Sequence, residues 1–222
     1  FEKLEVKQYI FKQLDAHCPK HTILASNTSS LMPSSLASAT NRKDKVLVLH
    51  YFYPPHLMPL VEIVRSEFTS DETTEMVYKT VLKAGKKPII AQKEALGFIA
   101  NRMQIALLRE ALYIIDQGIA TAEDIDIAVK YGFGRRLAFV GPVELAEVQD
   151  GWDVMAQIER YILPDLDNSV EPNPLIQKKV ECGEIGPKTG KGFYQWTPES
   201  EDAFVRNLYR SLAQFVKRDQ GQ

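Results

Sequence analysis

The sequence predicts a chain in two parts, an α/β half over residues 1–94 and an all-helical half over 95–222. Two observations carry that division. Short apolar runs at His21–Ala25, Val46–His50, Leu60–Val64 and Pro88–Ala91 alternate with stretches of helical periodicity, the pattern of one end of an α/β sheet domain. Beyond Ala95 no strand-like run returns, and apolar residues recur at helical spacing as far as Lys217.

The first element is a helix from Phe1 to Leu14, with apolar residues at Leu4, Val6, Tyr9, Ile10 and Leu14. The chain opens inside this amphipathic pattern, and we therefore expect an N-terminal segment ahead of it. The strand His21–Ala25 runs into Ser26-Asn27-Thr28-Ser29-Ser30. Five small polar residues at the carboxyl end of a strand sit where α/β sheets hold ligands, and a hydroxyl there can donate to a ligand carbonyl. The same run also reads as a turn into a short helix capped by Ser29, Ser30 or Ser34.

Val46-Leu47-Val48-Leu49-His50 and Leu60-Val61-Glu62-Ile63-Val64 flank a segment broken by Pro54, Pro55 and Pro59, so the pattern is strand, turn, strand. Glu62 interrupts a run that would be apolar in a strand buried on both faces, and a buried carboxylate is costly without a partner. His50 ends the preceding strand. A carboxylate on one imidazole nitrogen would fix the tautomer and leave the other to take a proton from a hydroxyl. The residues alone leave a second reading open, a core histidine beside a glutamate bonded to backbone amides.

A helix follows from Asp71 to Gly85, with acids in its first turn and glycine past its end, then the strand Pro88–Ala91. In the second half, Gly97 to Ile115 forms one long apolar helix closed by Gly118, and Thr121 caps a helix opening Glu123-Asp124. Further helices fit Pro142–Val148, Trp152–Ile162, Pro174–Cys182 and Glu201–Lys217. A helix as apolar as Gly97–Ile115 needs cover on most sides, and a domain this small suggests a second copy of the chain as the cover. Asn101, in its first turns, needs a partner for its amide. Gly183 to Tyr194 is rich in glycine and lysine but lacks Walker spacing; it reads as a rigid turn that could place Lys188 near an anion.

Lys+Arg 27 against Asp+Glu 29 gives a net charge of -2, with no basic cluster, so nucleic acid and anionic membrane are poor partners. No apolar run has the length of a membrane span. Cys18 and Cys182 fit reduced thiols in a cytoplasmic protein better than a disulfide framework or metal site.

Taken together, these stretches resemble the 3-hydroxyacyl-CoA dehydrogenase family. The resemblance rests on Glu2–Lys7, Ser26–Leu31, His50–Glu62, Gly97–Arg102, Glu123–Asp126, Gly141-Pro142 and Lys188–Tyr194, in that order along the chain. It implies that the α/β half is the C-terminal part of a Rossmann-like NAD-binding domain, followed by a helical substrate-binding and dimerisation domain. It implies NAD as cofactor, an acyl-CoA substrate, no metal and a homodimer. By the same resemblance, His50 is the base or acid at the C3 oxygen and Glu62 its partner. Ser29, Asn101 and Tyr53 would line the substrate, and Glu2, Lys7, Ser29 and Lys188 would lie near the nicotinamide. Features at Pro54–Glu62 and Gly132–Pro142 look closer to the lambda-crystallin, gulonate and carnitine dehydrogenase branch, which leaves a small 3-hydroxy acid as an alternative substrate and a crystallin-like structural protein as an alternative role. Tyr53 departs from the asparagine usual in the family. The family's Gly-rich pyrophosphate turn has no counterpart among these 222 residues.

Overall fold

The computed structural model describes residues 2–219 and 221; Phe1, which opened the expected first helix, lies outside them. In chain order the α/β part comprises α1 (Leu4–His17), β1 (Leu24–Ser26), α2 (Pro33–Ala37), β2 (Val46–Tyr51), β3 (Leu60–Arg65), α3 (Asp71–Lys83) and β4 (Lys87–Ala91). The helical part comprises α4 (Ala100–Asp116), α5 (Ala122–Tyr131), α6 (Phe133–Leu137), α7 (Pro142–Gln149), α8 (Gly151–Ile162), α9 (Pro174–Glu181) and α10 (Pro198–Asp219). The expected α/β half and all-helical half are both present, with α6 as an unforeseen helix of five residues.

The strands lie in the order β1-β2-β3-β4. The pairs β1–β2 and β3–β4 are parallel, and β2–β3 is antiparallel, as the strand, turn, strand pattern requires. Alternation along β2 and β3 divides the core. Val46, Val48 and Val64 join Phe11, Leu36 and Phe98 on one face, while Leu47, Val61 and Ile63 meet Val77 and Val81 of α3 on the other. By the same period His50 and Glu62, which stand directly opposite each other in the register, project on the Val48 and Val64 face.

The two expected caps differ in outcome. Thr121 caps α5, its side chain accepting from the Asp124 amide, and Ser70, which was not foreseen, caps α3 by accepting from the Thr73 amide. At α2 no serine caps: Pro33 occupies the first turn, which puts Met32 at the N-cap, without a side-chain bond. The long apolar helix also begins later than expected, at Ala100 rather than Gly97. Gly97 has φ 74° and Phe98 φ 50°, both left-handed, so neither continues a helix.

Two compact units divide the chain, residues 1–103 with 203–222, and residues 104–202. The last segment belongs to the first unit, where α10 packs from Ala203 onward. Within the second unit, Leu112 is the sole fully buried residue among those described. Ile105 is 61% exposed, Tyr131 67% and Phe139 61%. The expectation that Gly97–Ile115 is covered on most sides therefore fails within a single chain.

Candidate active site

Glu62 is completely buried and accepts from three donors. Its Oε2 lies 2.7 Å from Nδ1 of His50, and its Oε1 accepts from the amides of Ile99 (3.0 Å) and Ala100 (2.9 Å). The left-handed turn at Gly97-Phe98 aims those two N–H groups, one just before α4 and one at its first residue, at the carboxylate. Both readings of the sequence therefore hold at once: the glutamate pairs with histidine through one oxygen and with backbone amides through the other.

This arrangement sets the histidine's tautomer. A carboxylate only accepts, so Nδ1 carries a proton toward Glu62 and Nε2 is left with its lone pair. Nε2 lies 3.1 Å from the Ser29 hydroxyl, which donates to it. Phe52 and Phe98 stand edge-on to the imidazole at centroid distances of 5.0 and 5.4 Å. His50 is 4% exposed.

Ser29, His50 and Glu62 have the connectivity of a nucleophile, base and orienter, so acyl transfer has to be weighed. That chemistry needs N–H groups aimed at a developing oxyanion. Near Ser29 those groups are already engaged. The amides of Ser30 (3.3 Å) and Leu31 (3.0 Å) donate to the Thr28 hydroxyl. An array of this geometry can take up or give a proton at Nε2, with the Ser29 hydroxyl as a hydrogen-bonding neighbour.

A second polar cluster adjoins at the carboxyl end of β1. Glu2 accepts from Thr28 (2.5 Å) and Ser30 (3.2 Å), and Lys7 stands 3.8 Å away. Burial pushes the Glu2 carboxyl up, but the hydrogen bond from Thr28 and the charge of Lys7 outweigh it and hold the group below the ordinary carboxylate range. Thr28, fully buried, organises this loop, yet its neighbours in the sequence gave no reason to prefer it over four other small polar residues. Asn27 also has a structural task, its Oδ1 accepting from the Tyr51 amide at 2.9 Å.

Of the remaining expected site residues, Asn101 follows Ala100 in the first turn of α4, next to an amide that holds Glu62. Tyr53 lies on the segment after β2, with its hydroxyl bonded to that of Tyr209. Lys188 belongs to the second unit, on a single 3₁₀ turn at Pro187–Thr189. The described residues contain no group of three or more His, Cys, Asp or Glu able to hold a metal ion. Sequence reasoning missed Thr28, Phe52, Phe98 and the two amides. Only Gly97, as a residue free to turn left-handed, was a signal for any of them.

Comparison with known proteins adds to this geometry. Residues 1–95 match the family described as 3-hydroxyacyl-CoA dehydrogenase, NAD binding domain, and residues 97–196 match 3-hydroxyacyl-CoA dehydrogenase, C-terminal domain. The chain is 40% identical over 205 residues to the mitochondrial hydroxyacyl-coenzyme A dehydrogenase of Sus scrofa, covering 88% of this chain and 61% of that one. It is 38% identical over 196 residues to a probable 3-hydroxybutyryl-CoA dehydrogenase of Bacillus subtilis (strain 168), covering 88% of this chain and 67% of the relative. Among solved structures, a 5-formyl-3-hydroxy-2-methylpyridine 4-carboxylic acid 5-dehydrogenase, described as an NAD+ dependent dismutase, superposes with a TM-score of 0.94 at 27% identity. That match covers 100% of this chain and 72% of the other.

Proposed function

The chain belongs to the 3-hydroxyacyl-CoA dehydrogenase family, and on that premise we propose that the protein carrying it interconverts a 3-hydroxyacyl-CoA and the 3-ketoacyl-CoA with NAD. The observation that carries this reading is the buried Glu62, fixed by two amides and bonded to Nδ1, which leaves Nε2 of His50 open beside Ser29.

In the oxidative direction Nε2 takes the proton of the C3 hydroxyl. The imidazolium that forms is stabilised by Glu62 across 2.7 Å, with no reorganisation because the carboxylate is already held. Ser29, bonded to the same nitrogen, gives up that contact to the substrate oxygen and keeps it aligned with Nε2. Asn101 and the Tyr53 ring are the further substrate contacts of this reading. In reduction the steps reverse, and His50 delivers the proton to the C3 oxygen.

The residues present fit the hydroxyl- and amide-bearing end of a nicotinamide cofactor. Glu2, Ser29, Ser30 and Lys7 offer a carboxylate, two hydroxyls and an ammonium at the carboxyl end of β1, the edge where such sheets hold ligands. Bound there, NAD supplies the hydride acceptor. Lys188 is assigned to the same ligand by the family resemblance.

We assign the bare apolar faces of α4, α5 and α8 to a second copy of the chain, since exposed patches of this kind mark association surfaces. The unpaired Cys18 and Cys182 support a reducing compartment, the cytoplasm. The full-length protein is to be assayed with NADH and acetoacetyl-CoA, and with free 3-keto acids in parallel. Reduction of the thioester alone is expected; reduction of neither overturns the reading.

A further inference from the structure

Helix α10 lies beyond the residues matched by the family's C-terminal domain, which end at 196, yet its residues from Ala203 onward pack with the α/β unit. They touch one segment in particular. The Tyr209 hydroxyl donates to that of Tyr53 at 2.8 Å, and its ring stands edge-on to His56 at 6.1 Å. Further along the helix, Val216 and Asp219 line a cavity of about 430 Å³ together with His56, Leu57 and Pro59. From the other side, Lys86 donates to the carbonyls of Pro55 and Met58, and so clamps the segment's backbone.

That segment begins next to the reacting group. Phe52, in edge contact with His50, directly precedes Tyr53. The Tyr53 ring is 82% exposed, so its face is bare while its tip is tied to α10. An exposed tyrosine held only by its backbone would sweep several rotamers, and a bond at the far end of the ring selects one. Two features thus meet each other: an aromatic ring on the segment that follows Phe52, and a helix outside the matched residues that holds this ring by its hydroxyl.

We propose that Tyr209 is a specificity-determining residue of the site: by bonding the Tyr53 hydroxyl it fixes that ring as a wall beside His50 and restricts the substrate to short acyl chains. This rests on the dehydrogenase reading given above. A wall that cannot move discriminates by single methylenes, at roughly ten-fold or more for each one it excludes, whereas a wall that swings aside does not. The Tyr209 hydroxyl raises no barrier itself; it acts through Tyr53.

The test compares four-, six- and ten-carbon 3-ketoacyl-CoA substrates in the full-length protein, in Tyr209→Phe, in Tyr53→Phe and in the double variant. Each single change removes one hydroxyl and keeps the ring. Wild type is expected to favour the four-carbon substrate. Tyr209→Phe should raise the ten-carbon to four-carbon ratio of kcat/KM by about five-fold or more, mainly through KM for the longer chain, with kcat on the short one nearly unchanged. Tyr53→Phe should shift the ratio equally, and the double variant no further, since both remove one bond. A ratio that stays within about two-fold of wild type in both single variants, or shifts that multiply in the double variant, overturns the proposal. A wild type that reduces none of the thioesters overturns the dehydrogenase reading instead. The bond is then judged by hydrogen exchange at the amides of 52–59: faster exchange in both variants upholds the latch, and unchanged exchange removes it.

Discussion

The two units of this chain solve the problem of burial in opposite ways. In the first, a four-stranded sheet is covered on both faces. Leu47, Val48, Val61, Ile63 and Val64 are wholly inaccessible, and even a carboxylate is enclosed once three donors surround it. In the second, α5 and α9 form with side-chain caps, but Leu112 alone among the described residues is buried. The lesson is that local periodicity suffices to make helices, whereas a core needs opposed apolar faces. The α/β unit supplies both faces from its own chain. The helical unit supplies one and leaves the other bare.

The array proposed as catalytic belongs to the self-covered unit, and its disruption should be the largest effect. His50→Ala in the full-length protein is expected to lower kcat by about three orders of magnitude, and Glu62→Gln by about two. The double variant should be little worse than His50→Ala, because groups that act as a unit are not additive. Steady-state kinetics decide it, and losses that multiply would break the coupling drawn here between Glu62 and His50. Glu62→Ala carries a further cost that Gln does not, since it leaves the Ile99 and Ala100 amides without their acceptor and opens a void where a fully buried side chain stood.

How far this array was legible follows from the same contrast. Glu62 stood out because a carboxylate inside an apolar strand run needs a partner, and the period-2 alternation of two strands joined by a proline-broken turn put His50 within reach. The amides that complete the site could not be read. They depend on Phe98 adopting a left-handed φ of 50°, which a bulky residue rarely does and which local propensity argues against. The serine cap expected for α2 failed because Pro33, fitted to a first turn, outweighed hydroxyls nearby. The return of α10 to the first unit was invisible for a different reason. Its amphipathic pattern says that one face is covered without saying by what, and the hydroxyl pair of Tyr53 and Tyr209 spans 156 positions.

The contrast in burial predicts a contrast in substitutions. Ile63→Ala should cost about 2–5 kcal/mol, the range for truncating a fully enclosed aliphatic side chain. Ile105→Ser, on the bare face of α4, should change the stability of an isolated chain by no more than about 0.5 kcal/mol, as exposed positions do. If a second copy covers that face, Ile105→Ser instead lowers the association constant, by roughly ten-fold or more for a central apolar contact. Chemical denaturation at two protein concentrations separates these cases. Equal loss in both variants at high dilution would mean that the helical unit has a core of its own.

The smallest effect concerns a turn of the helical unit that is held by charge. Glu184 lies 2.6 Å from the ammonium of Lys179 and 2.5 Å from that of Lys191. The hydrogen bond from Lys179, then that from Lys191, lowers its pKa from 4.5 to about 2. Because the folded value is below the unfolded one, the stabilisation is present in full above pH 4.5 and is lost as the pH falls from there through about 2. Lys191 is shifted the other way, its ammonium held by Glu184, so its share persists below its ordinary value of 10.5 and fades only above it. The turn at Gly183–Gly192 should therefore keep its hydrogen-exchange protection from about pH 5 to about pH 9, and a carbon-detected titration of the Glu184 carboxyl should have its midpoint near 2. Glu184→Gln removes the partner of both ammonium groups, and exchange at 183–192 should quicken at neutral pH while amides of β2 and β3 are unaffected. The groups are near solvent, so added salt should weaken the wild-type protection. A Glu184 midpoint near 4.5, or exchange that Glu184→Gln leaves unchanged, would show that this turn is held by its backbone bonds at Gly186, Lys191 and Gly192 rather than by charge.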